Sequence, residues 1–244
     1  MTPTDVREWR VRGFVNAPER TDKTKRSLFA PVRRSRALLR WRRRREIAFL
    51  GTAESGSVLA SVAEGRRRVR ALFAPADSII RGHHIGKGAV VDRTQFDVLD
   101  RAYWYVPLTG RRRKLAFLDV LLADAETGHR EVAIVAHYPR NTAKVDPGGR
   151  ARAAIDAELS KRCSTYRAAG LPVAVYVDRN GARPPLAGFK VVSSHGPDAI
   201  YAAGFEVDTH GADDLSGVSD HHAVWARMRP RVAAGAARRL PATR

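Results

Sequence analysis

The segment SGVSDHHAVWARM, Ser216 to Met228, places an Asp-His-His run directly before a short apolar stretch, Ala223 to Ala226. Such an apolar stretch is typical of a strand that closes a sheet. The polar run has three interpretations: a catalytic Asp-His pair, a cluster of metal ligands, or a loop before an edge strand. The rest of the sequence helps to choose among these three interpretations.

The composition indicates a globular chain without a membrane partner. Its 244 residues are 44% hydrophobic, which is enough to bury a substantial core. No run of about 18 apolar residues occurs, and the segment MTPTDVREWRVRG at 1–13 is charged where a signal peptide needs an apolar stretch. These features predict a cytoplasmic protein. The single cysteine, Cys163, excludes an intramolecular disulfide and a thiolate-rich zinc site.

The chain is strongly basic, with 44 Lys and Arg against 25 Asp and Glu and a formal net charge of +19. Arginines cluster at 33–46, 66–70 and 111–114. Such clusters neutralise phosphates and release counterions, which predicts nucleic acid as a partner. The alternative is an Arg-rich composition in which these runs are solvated surfaces. Few aromatic residues accompany the basic runs, so they do not indicate a base-stacking platform.

Strand-like and helix-like segments alternate along the chain. Helical composition occurs at 34–45, 56–73 and 148–170. Segments typical of strands occupy 8–15, 46–53, 86–93, 96–108, 172–178, 198–204 and 222–228, and a strand pair with a hairpin loop occupies 114–139.

Many apolar strands with few helices predict an α/β (α+β) fold. We expect a four-layer sandwich of two packed mixed β-sheets flanked by helices, in a single domain that covers 1–229. The remaining residues, 230–244, form a basic tail of low complexity that we expect to be disordered.

Polar side chains stand at the ends of several predicted strands. Each alone has an ordinary explanation, because Asn and Asp favour turns and a single Glu or His is usually solvated or structural. Their repetition is informative, since strand ends on one rim of a sandwich converge. The residues are Asn16, Glu54, His137, Asp178, Asn180, Asp220 and His221. The set offers hard oxygen donors and two imidazoles without a thiolate, which suits Mg²⁺ or Mn²⁺ better than zinc.

In order, these motifs resemble the endonuclease/exonuclease/phosphatase superfamily. The matching pieces, between about residue 8 and residue 228, are an Asn after the first strand, FLGTAE (49–54), AIVAH (133–137), VYVDRN (175–180), PDAIYA (197–202) and VSDHHAVW (218–225). The resemblance implies that family's sandwich fold and metal-dependent hydrolysis of phosphoesters. It favours a catalytic Asp-His pair in the closing motif.

The resemblance also implies a role for each residue. Glu54 is expected to be the principal Mg²⁺ or Mn²⁺ ligand, with Asn16 beside it and Asp220 near the metal. Asp178 is expected to orient or activate the attacking water. Asn180 is expected to hydrogen-bond a phosphate oxygen.

The two histidines are expected to act on the phosphate. His221 would stand next to the scissile phosphate, with Asp198 as its carboxylate partner. His137 would stabilise the phosphate or protonate the leaving oxygen. Arg140 and Asn141, which follow it, are expected to bind the substrate.

Three places depart from the family's pattern, and one of them is the segment that ends at Glu54, which is TAE where the family usually has Leu-Gln-Glu. Val177 stands where the family usually has Gly before the Asp-x-Asn motif, and its side chain is expected to crowd the backbone on the metal side. Lys87 stands at about the place of an acidic residue that supports the first histidine in deoxyribonuclease-like members.

His222 is expected to point away from His221, because neighbours in an extended segment alternate faces, and His195 is expected to lie in a loop.

Three functions are compatible with this sequence. The first is a metal-dependent nuclease that hydrolyses phosphodiester bonds in DNA or RNA. The second is a phosphatase or lipid phosphodiesterase of the same fold, since fold does not fix substrate. The third is a catalytically weakened nucleic-acid-binding protein that keeps the fold.

Overall fold

Two mixed β-sheets organise the chain. The computed structural model describes residues 8–16, 30–74, 78–80, 83–107, 114–140 and 146–231. Within these ranges the first sheet has seven strands and the second has six. Each sheet combines a parallel pair with antiparallel pairs.

The strand order puts a parallel pair in the interior of each sheet. The first sheet has the order β12 (Phe205–Asp213), β13 (Ala223–Pro230), β1 (Arg10–Asn16), β2 (Ile47–Gly56), β5 (His83–Asp92) and β3 (Val69–Phe73), with β4 (Ser78–Ile80) paired to β5. The second has the order β10 (Lys190–His195), β11 (Asp198–Ala203), β9 (Val173–Asp178), β8 (Arg130–His137), β7 (Lys114–Asp124) and β6 (Phe96–Pro107). The parallel pairs are β1–β2 and β8–β9. A hydrogen bond between the last residues of β1 and β9 puts the carboxyl ends of both pairs at one edge of the sandwich, which we call the shared rim.

Helices cover the outer face of each sheet. α1 (Ala30–Arg44) and α2 (Ser57–Glu64) share an apolar cluster with the first sheet, and α3 (Arg150–Ala168) shares one with the second. A third apolar cluster fills the space between the sheets, where the rings of Phe49 and Tyr176 lie 4.9 Å apart. The structure therefore confirms the predicted four-layer sandwich.

Side-chain alternation in β9 separates its packing face from its polar face. Val175 and Val177 lie in the apolar cluster beneath α3, whereas Tyr176 lies in the cluster between the sheets. Asp178 also points between the sheets, because it accepts a hydrogen bond from Asn16 of the first sheet. The expectation that Val177 crowds the metal side is wrong, since its side chain is buried on the opposite face of the strand.

A buried ion pair joins the two sheets. Arg12 of β1 donates to both carboxylate oxygens of Glu131 on β8, at 2.9 Å and 2.5 Å, and both side chains are excluded from solvent. The guanidinium lies 5.3 Å from the ring of Phe96 and 5.2 Å from the ring of Phe205. Arg12 also donates to the backbone oxygen of Met228 at 2.6 Å. These contacts meet the requirement that a buried charge be paired and hydrogen-bonded.

The predicted elements need two corrections. The helix predicted at 56–73 ends at Glu64, and residues from Val69 to Phe73 form β3, because Gly65 ends the helix and this segment pairs with β5. The strands β4, β10 and β12 were not predicted. β10 and β12 are edge strands whose largely exposed polar side chains hide the apolar pattern. His195, expected in a loop, is the last residue of β10.

The described part of the chain ends at Arg231. β13 extends to Pro230, one residue beyond the predicted domain boundary, and most of the predicted tail lies outside the described residues. In the portion that is described, no helix is both long enough and apolar enough to cross a membrane.

Candidate active site

Three neighbouring strands of the second sheet bring three predicted side chains into register. His137 ends β8 and Asp178 ends β9, and the two are partners in the parallel ladder. Asp198 begins β11 and is the antiparallel partner of Asp178. The three residues therefore lie side by side on the shared rim, although they come from separate stretches of the sequence.

Two residues of the first sheet reach across to these carboxylates. Asn16, the last residue of β1, donates through Nδ2 to Oδ2 of Asp178 at 2.8 Å and through its backbone N to Oδ2 of Asp198 at 3.3 Å. His221, just before β13, has its Nδ1 3.2 Å from Oδ1 of Asp198. Both sheets therefore build the site.

A bulge in β2 holds Glu54 over the shared rim. The pairing of β2 with β5 shifts register between Thr52 and Ser55, and Glu54 has a left-handed backbone with a φ of 53°. Such a conformation is strained for a residue with a side chain, and strain of this kind concentrates at functional sites. Oε1 of Glu54 lies 4.0 Å from Nε2 of His137. Partial burial, and then the charge of Asp220, raise the pKa of Glu54.

The carboxylate of Asp178 is enclosed and held by two donors. Only 1% of its side chain is exposed, Oδ2 accepts from Asn16, and Oδ1 accepts from the backbone N of Asn180 at 3.0 Å. Burial, and then the charge of Asp198, raise the pKa of Asp178 to about 6. At pH 7 the group is mostly ionised, and it is a better proton acceptor than an ordinary aspartate.

Contacts on two sides fix the position of His221. Ser219 Oγ accepts a hydrogen bond from the backbone N of His221 at 2.9 Å and donates one to the backbone O of Asn16. The hydrogen bond to Asp198 outweighs burial and raises the pKa of His221 to about 9. The ring is therefore an imidazolium at neutral pH. Because Nδ1 is engaged by Asp198, Nε2 is left for another acceptor.

His137 is governed by burial rather than by a carboxylate partner, although Oδ2 of Asp178 lies 3.4 Å from its Nε2. Its Nε2 lies 3.0 Å from Nδ2 of Asn180, and the same Nδ2 donates to the backbone O of Tyr138 at 2.8 Å. An amide nitrogen is a donor only, so Nε2 of His137 accepts and the ring is neutral. Burial, and then the charge of Lys87, lower the pKa of His137 to about 3.

Lys87 on β5 replaces the acid that the resemblance implies. Its side chain is fully buried, and its Nζ lies 4.8 Å from the centre of the Phe117 ring. Its charge lowers the pKa of both His137 and Glu54. The first histidine is therefore supported by the amide of Asn180 and not by a carboxylate on β5.

The remaining predicted residues border this group. Asp220 is exposed, and its charge raises the pKa of Glu54. Arg140 is also exposed, and its charge lowers the pKa of Glu54 and of His137. Asn141 lies outside the described residues.

Two residues that hold the site were not predicted to do so. Ser219 ties His221 to β1, and Arg152 of α3 donates to the backbone O of Pro139 at 2.9 Å and to that of Asn180. The position of Ser219, two residues before His221, was a usable signal. Arg152 gave none, because it is one of many arginines in an Arg-rich chain.

Comparisons with known proteins find similarity only in structure. No protein-family model and no curated protein matches the chain. An endonuclease/exonuclease/phosphatase family protein from Bacteroides thetaiotaomicron aligns with a TM-score of 0.70 at 13% identity, over 94% of this chain and 98% of that one.

Two further solved structures carry more specific names. A mannosyl-6-phosphatase from Bacteroides thetaiotaomicron VPI-5482 aligns with a TM-score of 0.66 at 13% identity, over 90% of this chain and 99% of that one. TDP2 from D. rerio, complexed with single strand DNA product, aligns with a TM-score of 0.63 at 13% identity, over 90% and 98%. The alignments span nearly the whole of each protein. The chain therefore has the fold of the endonuclease/exonuclease/phosphatase proteins, as its motifs predict.

Proposed function

We propose that the chain is a divergent member of the endonuclease/exonuclease/phosphatase superfamily and a divalent-metal-dependent nuclease that hydrolyses phosphodiester bonds in DNA or RNA. The observation that carries this proposal is the shared rim, where carboxylates, amides and two imidazoles from separate strand ends meet. Phosphodiester hydrolysis needs an activated nucleophile, neutralised phosphoryl oxygens and assistance to the leaving alkoxide. This set of groups offers each of them.

The donor set fits Mg²⁺ or Mn²⁺. Oδ1 of Asn16 is buried without a hydrogen-bond partner among the described residues, because Nδ2 of the same amide is directed at Asp178. Hard cations bind carboxylate and amide oxygens, so we assign Glu54, Asn16 and Asp220 as the ligands. When bound there, the cation would neutralise charge on the phosphoryl oxygens of the substrate.

A second group of possible ligands is better suited to proton transfer. The ligand atoms of Asp178, Asp198 and His221 lie within 4.8 Å of one another. Their hydrogen bonds with Asn16, with Asn180 and between themselves already engage the carboxylate oxygens and Nδ1 of His221. This occupation favours orientation and proton transfer over metal ligation.

We assign the two proton transfers of the reaction to Asp178 and His221. Asp178, ionised at neutral pH, orients the attacking water and accepts its proton, while Asn16 and the backbone of Asn180 hold the carboxylate. His221, held as an imidazolium by Asp198, binds the scissile phosphate and can donate the proton that the leaving alkoxide requires.

Asn180 offers its amide to the phosphate, and His137 positions that amide. Because the ring of His137 is neutral and its Nε2 accepts from Asn180, we assign it to orienting Asn180 and not to protonating the leaving oxygen. The amide of Asn180, fixed by the Tyr138 carbonyl, can give its hydrogen bond to a phosphate oxygen in place of His137. Arg140 adds positive charge at the edge of the site.

Nucleic acid is the substrate class that the charge of the chain favours. A net charge of +19 concentrates polyanions at the surface and accelerates their encounter with the site. TDP2, one of the aligned structures, contains a single strand DNA product. The second candidate function is a phosphatase, which the mannosyl-6-phosphatase alignment supports.

The assay that tests the proposal is cleavage of a labelled single-stranded oligonucleotide and of plasmid with Mg²⁺ or with EDTA. We expect cleavage with metal only, and a loss of about 100-fold or more in His221→Ala and in Asp178→Asn. His210→Ala, an exposed histidine of β12, is the matched control and should keep full activity. Cleavage that survives both site substitutions contradicts the assignment. Phosphate release from a sugar monophosphate, with nucleic acid intact, supports the phosphatase.

A further inference from the structure

Two histidines outside the proposed machinery form a stacked pair on the shared rim. The rings of His195 and His222 have centroids 3.9 Å apart and planes within 3° of parallel. His195 is exposed at the end of β10, and His222 is half-buried. In the ranges that the structure describes, neither ring has a hydrogen bond or an ion pair with another side chain.

The position of the pair ties it to the site. His195 is the register partner of Asp198 across β10 and β11. His222 directly follows His221, whose Nδ1 contacts Asp198. The stacked rings thus come from the two segments that carry the Asp198–His221 pair. The stacked rings therefore flank the Asp198–His221 pair, and a group bonded to a phosphate at His221 meets them if it extends toward β10.

We propose that the His195–His222 stack is a platform for the nucleobase next to the scissile phosphate. This inference rests on the proposed function and narrows its substrates to base-bearing phosphodiesters. Every base has a π-face, and bases stack on an aromatic ring without strict sequence preference. Because one imidazole already backs the other, the outer face is held flat and needs little ordering when a base binds. Sugar phosphates and lipid headgroups offer no such planar group.

The test compares two single-stranded oligomers of equal length, one of thymidine and one of an abasic analogue. Substitutions at both positions separate the ring from its hydrogen-bonding atoms: His195→Phe and His222→Phe keep a planar ring, whereas His195→Asn and His222→Asn keep polar atoms only. The measured quantity is the ratio of kcat/KM for the thymidine oligomer to kcat/KM for the abasic oligomer. We expect the Asn variants to lower this ratio about tenfold and the Phe variants to preserve it. His210→Asn is the matched control.

Three results would overturn the platform. One is a loss of kcat/KM in the Asn variants that is equal for both oligomers, which would indicate that the histidines contact the phosphate and not the base. Another is a Phe variant that loses as much as its Asn counterpart. The third is a ratio that changes no more than in His210→Asn.

A binding measurement separates this inference from the proposed function. Fluorescence anisotropy with the labelled oligomers in EDTA reports base-dependent affinity without turnover. A wild-type protein that cleaves neither oligomer contradicts the nuclease proposal, and the platform is then judged by binding alone. Tighter binding of the thymidine oligomer that the Asn variants lose supports the platform, whereas equal affinity for both oligomers rejects it.

Discussion

At the scale of single residues, the two imidazoles of the proposed machinery, His137 and His221, differ in charge because different interactions dominate at each. His221 faces the carboxylate of Asp198, which raises its pKa to about 9, whereas His137 is buried near Lys87, and its pKa falls to about 3. One imidazole is thus charged and the other neutral at pH 7. Opposite environments for two titratable groups are how a site divides acid and base roles.

The pH dependence of cleavage follows from these groups. Asp178 must be ionised to accept a proton, so kcat/KM should rise as pH passes about 6. His221 must be protonated to bind or protonate the phosphoryl group, so kcat/KM should fall as pH passes about 9. The resulting bell is measured in buffers of constant ionic strength.

His137→Gln is the control for this profile. Because His137 is neutral over the whole interval, the substitution should lower the rate without moving either limb. A limb that disappears in His137→Gln would show that His137 titrates in that limb, and not Asp178 or His221.

At the scale of elements, the closing motif and the strand ends were predictable, and the edge strands were not. Asn16, Glu54 and Asp178 follow apolar runs that any sheet must bury, so their positions could be taken from the sequence. The sequence shows no apolar pattern that marks the bulge in β2 near Glu54 or the strand β10, which ends at His195. Both depend on pairing with strands distant in sequence, which local composition does not encode.

The packing of β9 against α3 makes Val177 a core residue. Val177→Ala should lower the free energy of unfolding by about 2 kcal/mol, because two buried methyl groups are lost and a cavity remains. Urea denaturation measures this loss. Activity per folded molecule should stay unchanged, since the side chain faces away from Asp178. An activity gain in Val177→Gly without a stability loss would show instead that the side chain crowds the site.

The ion pair between the sheets gives a second stability prediction. Arg12→Met should cost about 3–5 kcal/mol, because it leaves the carboxylate of Glu131 buried and unpaired. The double variant Arg12→Met with Glu131→Leu should recover much of this loss, since no charge then remains unpaired. Urea denaturation of the single and double variants forms the cycle. A double variant as unstable as the sum of the singles would show that the two side chains are not coupled.

At the scale of the whole molecule, the net charge of +19 predicts salt-sensitive binding of nucleic acid. The affinity of Asp178→Asn for a single-stranded oligonucleotide should fall about tenfold or more between about 50 mM and about 200 mM salt, since each phosphate contact releases counterions. Fluorescence anisotropy across this range measures the slope. Turnover of a small phosphodiester should depend on salt much less. If oligonucleotide binding and turnover of the small phosphodiester depended equally on salt, the salt sensitivity would arise at the site and not at the basic surface.

The sandwich itself was predictable from the order of its motifs, because many apolar strands with few helices have few ways to bury their faces. The protonation states of the side chains on the shared rim were not predictable from the sequence. They depend on which side chains meet across the sheets, such as Asn16 with Asp178 and Lys87 near His137. The order of residues in the sequence does not specify these side-chain contacts.

The most direct test of the account is a crystal structure of the wild-type protein with Mn²⁺ and a phosphorothioate dinucleotide, with the metal located by anomalous scattering. We expect a Mn²⁺ ion bound by the carboxylate of Glu54 and by Oδ1 of Asn16, with the phosphoryl group between that ion and His221. A metal bound away from Glu54, or a phosphoryl group that touches neither Asp178 nor His221, would contradict it.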